Sequence, residues 1–295
     1  MDHEIPQGGA PLGTKAFLEE MERQYRLDQL QPQVKYLPPW AERSEAYRSV
    51  AACELDIGYD SGPRSKLDFF PAGDAGHAPT LVFIHGGYWQ KGDKSVYSFL
   101  AEPFVANEVS FLALSYDLCP TVSLAQIAAQ VQRAVAWIWN NGAALGLDRD
   151  NLHIGGHSAG AHLSAMMLTT DWTSVANGLS GNLFKSALLV SGIFDLAPLL
   201  FTSQKMNLNL DEEQAQKQSP VRRELRIDSP LLVASGELES AEFNRQSDLC
   251  AQVFDPQCRG LERYVARGRN HFEIVDELAD PGSLLFGKAL ALIKR

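Results

Sequence analysis

Residues 151–168 constrain this chain more tightly than any other stretch, because a strand, a turn and a helix must follow one another there without a break. Asn151-Leu152-His153-Ile154-Gly155 reads as a buried strand, Gly156-His157-Ser158-Ala159-Gly160 as a tight turn, and Ala161 to Leu168 as a helix. A serine raised on such a turn sits in strained backbone, and side chains at the flanking glycines would collide with the neighbouring strand and helix. Ala159 and Ala161 keep the same crossing narrow.

The rest of the chain repeats this alternation. Short apolar runs at Thr80–Ile84, Ser110–Ser115, Ser186–Ser191, Leu231–Ser235 and Leu261–Ala266 are separated by helix-length segments, the pattern of a buried parallel sheet covered by helices. Between two runs, Ile127, Val131, Ala134, Val135 and Ile138 share one helical face, with Gln130, Gln132 and Arg133 directed away. Cys53–Tyr59 and Ser65–Phe70 alternate around Asp60-Ser61-Gly62-Pro63 and predict an antiparallel hairpin at the sheet's opening edge. The expectation is an α/β chain with a mostly parallel central sheet, helices on both faces and a short lid. Residues 1–50 read as an N-terminal helical arm, with an amphipathic stretch from Lys15 to Leu30 and breaks at Pro32, Pro38 and Pro39; residues 51–295 read as the α/β domain. The polar segment of about 195–228 is long for a plain connection and is expected to form the lid or wall.

Composition narrows the partners. With a formal net charge of −10, the chain lacks the basic field that nucleic acid or anionic lipid would need. Met1 to Pro6 has neither the basic start nor the apolar run of a signal peptide, and no apolar run reaches membrane-spanning length, so a cytoplasmic location is expected. Cys53, Cys119, Cys250 and Cys258 lack Cys-x-x-Cys spacing, so no zinc site is suggested; proximity alone allows a Cys250–Cys258 disulfide, which a reducing compartment disfavours. A small-molecule substrate is expected; a homodimer is open, with no residue selecting it.

A serine hydroxyl needs a base within hydrogen-bond reach and an acid to orient that base. In a G-x-S-x-G elbow the acid and then the histidine follow in sequence, and only His162 and His271 follow Ser158. His162 lies one helical turn beyond Ser158 and reads as structural; His271 follows the last strand in a glycine-containing loop, where the base belongs. The acid should follow Leu231–Ser235, in Gly236-Glu237-Leu238-Glu239-Ser240, where Glu237 and Glu239 both qualify and fourth place favours Glu239. Asp276 and Asp195 are weaker rivals. His85-Gly86-Gly87-Tyr88-Trp89 follows a strand directly, so the amides of Gly86, Gly87 and Ala159 are the candidate donors to an oxyanion, with His85 organising the loop. No phosphate-loop pattern accompanies these glycines.

These residues resemble the kynurenine formamidases (arylformamidases) of the α/β-hydrolase fold. The likeness rests on His85 to Trp89, Gly156 to Leu163, Ser191-Gly192-Ile193-Phe194-Asp195-Leu196, Ala241 to Ser247 and His271-Phe272-Glu273-Ile274-Val275, and runs from about Tyr59 onward. It implies hydrolysis of N-formyl-L-kynurenine to kynurenine and formate without metal or organic cofactor. The family usually carries Asp where this chain has Glu239. A general carboxylesterase is the nearest alternative, and a silent binding protein on the same scaffold a more distant one. Tyr88 and Trp89 are candidates to flank an aromatic substrate, whereas Phe194 and Phe272 read as wall or core. Lys91, Arg222 or Arg269 could meet a substrate carboxylate, and nothing in the sequence selects among them.

Overall fold

Eight strands form one sheet in the order β1-β2-β4-β3-β5-β6-β7-β8, in a computed structural model that describes residues 13–27, 33–73, 76–176 and 178–295. The strands are β1 (Glu54–Gly58), β2 (Lys66–Phe70), β3 (Thr80–Ile84), β4 (Ser110–Leu114), β5 (Leu152–His157), β6 (Phe184–Val190), β7 (Leu231–Gly236) and β8 (Leu261–Ala266). The β1–β2 hairpin forms one edge, and β2 pairs antiparallel with β4. From β4 to β8 every pairing is parallel. This is the mostly parallel, helix-covered sheet that the alternating runs predict.

Strand side chains alternate between two cores, as a two-residue period requires. Val82, Ile84, Leu112, Ile154, Leu189 and Val233 face the helices Leu124–Asn141 and Ala159–Leu168. Leu81, Phe83, Phe111, Leu188 and Leu232 face the opposite layer, which includes the helix Leu284–Ile293. The helix Leu124–Asn141 buries the predicted face and also Gln130, expected to point away. Gln130 is turned inward by polar partners: its Nε2 donates to Ser65 Oγ (2.8 Å) and its Oε1 accepts from the Asp117 amide (2.8 Å).

Among the described residues, the first fifty contribute two long helices. Thr14 caps Lys15–Tyr25, which buries Phe17, Met21 and Tyr25; residues 28–32, including Pro32, and the Met1–Pro6 terminus lie outside the described residues. Pro38 and Pro39 open the helix Leu37–Val50 instead of breaking it, because first-turn residues have no intrahelical partner for an N–H. Trp40 of this helix is buried among Tyr97, Phe99 and Phe272.

The segment 195–228 contains short helices Gln204–Leu208 and Glu212–Lys217 and is pinned to the body. Asp195 pairs with Arg222 (3.2 Å), and the Ser219 hydroxyl lies between the Leu196 amide and the Ala215 carbonyl. Cys250 and Cys258 are unbridged. No described helix is long and apolar enough to cross a membrane.

Candidate active site

The loops leaving the carboxyl ends of β3, β5, β7 and β8 converge, as ligand sites in parallel sheets do. β5 runs two residues further than predicted, to His157, so Ser158 follows the strand directly at φ 56° and ψ −120°. Its amide donates to the Val190 carbonyl (2.8 Å), which fixes the elbow to β6. The glycines act as the sequence implies: a Cβ on Gly160 would run into the Ile84 carbonyl, and one on Gly156 would strike Gly160.

His271 and Glu239 meet in the interior. His271 Nδ1 lies 2.7 Å from Glu239 Oε2, with both side chains at most 1% exposed. The other carboxylate oxygen accepts from Ser191 Oγ and from the Gly236 amide, each at 2.6 Å. Both oxygens are therefore committed, and the carboxylate has one orientation. The imidazole is held by Phe243 (4.7 Å between centroids), His157 (4.6 Å) and Phe272 (5.4 Å). The rival acids are engaged elsewhere. Glu237 accepts from the Gly268 amide, Asp276 from Trp40 Nε1 and Arg43, and Asp195 pairs with Arg222. Sequence reasoning gave Ser191 no role; its signal is a non-glycine residue at φ 54° immediately after β6.

The loop His85–Gly92 packs against the elbow. A Cβ on Gly86 would lie 3.1 Å from Ser158 Cβ, and Gly87, at φ 126°, lets the chain turn back so that its carbonyl accepts from the Gln90 and Lys91 amides (3.0 Å each). The Gly86 backbone also meets the hydroxyl of Tyr97, whose ionisation burial pushes up and this contact opposes. Of the three amides named as oxyanion donors, that of Gly86 is thus shared, leaving those of Gly87 and Ala159 as the remaining pair. His85 is neutral, lowered to about 4 by burial; its Nδ1–H donates to the Gly86 carbonyl (2.7 Å) and its ring stacks on Tyr116.

Two further histidines brace the elbow. Burial, and then the neighbouring His271, hold His157 well below the usual range; its Nε2–H donates to the His271 carbonyl (2.8 Å). His162, lowered to about 4 by burial, accepts from Trp89 Nε1 (3.2 Å) and donates to the Gln218 carbonyl (2.7 Å). One imidazole therefore ties the glycine loop, the elbow helix and the 195–228 segment together.

Ser158 and His271 line a cavity of about 110 Å³ together with Gly86, Gly87, Tyr88 and Tyr97. The expected aromatic pair separates here. Tyr88 lines the cavity and its hydroxyl donates to the Tyr25 carbonyl (2.7 Å), whereas Trp89 is 0% exposed and lies behind the loop, because its N–H needs His162. The expected lid does not reach this cavity among the described residues. Its outer wall comes from Leu27, Gln33 and Leu37, while the 195–228 segment is held aside by its own buried contacts. Phe272 is a wall residue, and Phe194 is buried in the core.

The BD-FAE family model matches residues 67–248. A kynurenine formamidase from Danio rerio is 31% identical over 288 residues, covering 93% of this chain and 96% of its own. Another, from Salmo salar, is 32% identical over 279 residues, covering 89% and 92%. This chain belongs to the kynurenine formamidase family. A crystal structure of a candidate thioesterase from Silicibacter sp. TM1040 superposes with a TM-score of 0.81 at 30% identity, covering 94% of this chain and 99% of that one. Like other kynurenine formamidase relatives, the chain is a serine hydrolase of the α/β-hydrolase fold.

Proposed function

We propose that the protein hydrolyses N-formyl-L-kynurenine to kynurenine and formate, with Ser158 as nucleophile, His271 as base and Glu239 as the acid that orients it. The observation that carries this reading is the 2.7 Å contact of His271 Nδ1 with Glu239 beside a strained serine in one cavity. Glu239 keeps the Nδ1 proton in place, so the serine proton goes to His271 Nε2. Ser158 Oγ bonds to the formyl carbon, and the amides of Gly87 and Ala159 meet the developing oxyanion; one such donor is worth about 3 kcal/mol. The C–N bond then breaks and His271 returns the proton to the departing arylamine. Water, deprotonated by His271, attacks the formyl-serine and releases formate, restoring Ser158.

A narrow cavity beside the serine suits a formyl group, which adds no carbon to the reacting carbonyl. Supporting a cytoplasmic setting are four unbridged cysteines, as a reducing compartment leaves them. A general carboxylesterase is the second reading, favoured by the BD-FAE match and the candidate thioesterase. Comparing kcat/KM for N-formyl-L-kynurenine and a short-chain aryl acetate separates the two. The formamide is expected to be the better substrate; an ester preferred by orders of magnitude would overturn the formamidase reading.

A further inference from the structure

Beyond the catalytic cavity lies a second hollow of about 410 Å³ that shares Leu27, Gln33, Tyr88 and Lys91 with it and continues to Gln90 and Gln204. Lys91 is the charged residue common to both. The outer hollow is polar and partly organised: Gln90 Nε2 donates to Gln204 Oε1 (2.6 Å), and Gln90 Oε1 accepts from Asn207 Nδ2 (2.9 Å).

Among the described residues, Lys91 is the cation of the catalytic cavity's lining that has no carboxylate partner. Several other cations are committed. Arg26 lies 3.8 Å from Glu22, Lys94 sits between Asp56 and Asp68 at 2.7 Å, Arg222 pairs with Asp195 and Arg269 with Glu277 (3.3 Å). In a chain of net charge −10, an unpaired exposed ammonium at the junction of two hollows is a local exception that favours an anionic ligand. The Lys91 amide is bonded to the Gly87 carbonyl, so the loop that presents Gly87 to Ser158 also fixes where the lysine stem begins.

We propose that Lys91 is the counter-ion for a carboxylate on the leaving-amine portion of the substrate, with the polar outer hollow receiving that end. This deepens the formamidase reading and rests on it for the scissile bond alone. Lys91 is a specificity residue for anionic substrates; an ammonium on a flexible stem pairs with a carboxylate without demanding one geometry.

The test compares kcat/KM for N-formylkynurenine and its carboxamide, and in parallel for the acetate esters of 3-(2-hydroxyphenyl)propanoate and its carboxamide. Wild type is expected to prefer the carboxylate of each pair by about tenfold, as a charge-assisted contact allows. Lys91→Met should remove most of that preference, Lys91→Arg should keep it and Lys91→Glu should invert it. Raising salt from about 0.05 to 0.5 M should erode it in wild type and leave Lys91→Met flat. A carboxylate preference in Lys91→Met equal to that of wild type overturns the inference. If only the esters turn over, the formamidase reading fails, and the ester pair still decides the role of Lys91.

Discussion

On the His271 side of the cavity both carboxylate oxygens of Glu239 are bonded, the imidazole is packed between rings, and His157 holds the backbone of its loop. On the opposite side, Leu27, Gln33 and Leu37 form the wall without a hydrogen bond to the reacting residues, and Lys91 projects into solvent. The first wall is fixed by hydrogen bonds on the reacting groups; the second is made of packed side chains and an exposed lysine. The difference teaches that geometry is enforced where bonds are made and broken, and relaxed where substrates are told apart.

Changes to the inner wall should have the largest effects. Ser158→Ala is expected to lower kcat by about 10⁴- to 10⁶-fold with little change in melting temperature. A variant retaining more than about a tenth of the activity would remove Ser158 from the chemistry. Glu239→Gln should cost about 10³- to 10⁴-fold by presenting the wrong partner to Nδ1. Glu239→Asp, one methylene shorter, cannot keep His271, Ser191 and Gly236 all in contact and should lose about 10- to 100-fold. Near-full activity in Glu239→Gln beside a loss in Glu239→Asp would show that length, not charge, is what Glu239 contributes.

Acid should weaken the packing of the glycine loop and the elbow helix. His85 and His162 are buried and lowered to about 4, so below an unfolded value of about 6.5 the unfolded chain binds protons that the folded chain refuses. Stability is therefore present above pH 6.5 and lost as pH falls toward 4, with an upper limit of about 3 kcal/mol from each group. Urea midpoints measured across that window should fall, and His162→Asn should flatten the slope. A wild-type midpoint constant from pH 7 to 4.5 contradicts this account. The smallest effects belong to the outer wall. Tyr88→Phe gives up one bond to the Tyr25 carbonyl and should cost about 1 kcal/mol of stability. Gln33→Ala should raise KM about two- to fivefold while kcat stays within twofold; a kcat loss comparable to that of Glu239→Gln would erase the contrast between the walls.

Legibility in the sequence follows the same division. Strands buried on both faces appear as unbroken apolar runs, and the elbow appears because Gly156 and Gly160 tolerate no replacement, so local pattern was enough for β3, β5, β7 and Ser158. Glu239 was legible from its place in the turn, though Glu237 could be set aside only once the Gly268 amide was seen to hold it. What escaped local reading depends on distant partners. Gln130 is buried because Ser65 and Asp117 await it, Trp89 is hidden because its N–H donates to His162, and the outer wall comes from residues far from the elbow in sequence. Pro38 and Pro39 looked like breakers because composition does not say whether a proline lies inside a helix or at its first turn.

The anchoring of the first helices also has a consequence for assembly. Tyr25 bonds to Glu242, 217 residues later, and Tyr36 receives a bond from Asn270, 234 residues later. On the ribosome these tyrosines are made more than two hundred residues before their partners. The helices beside the cavity are thus tied to distant parts of the sequence, and contacts of such long range close late. A folding polypeptide can hold a raised serine and still lack the enclosure in which that serine works.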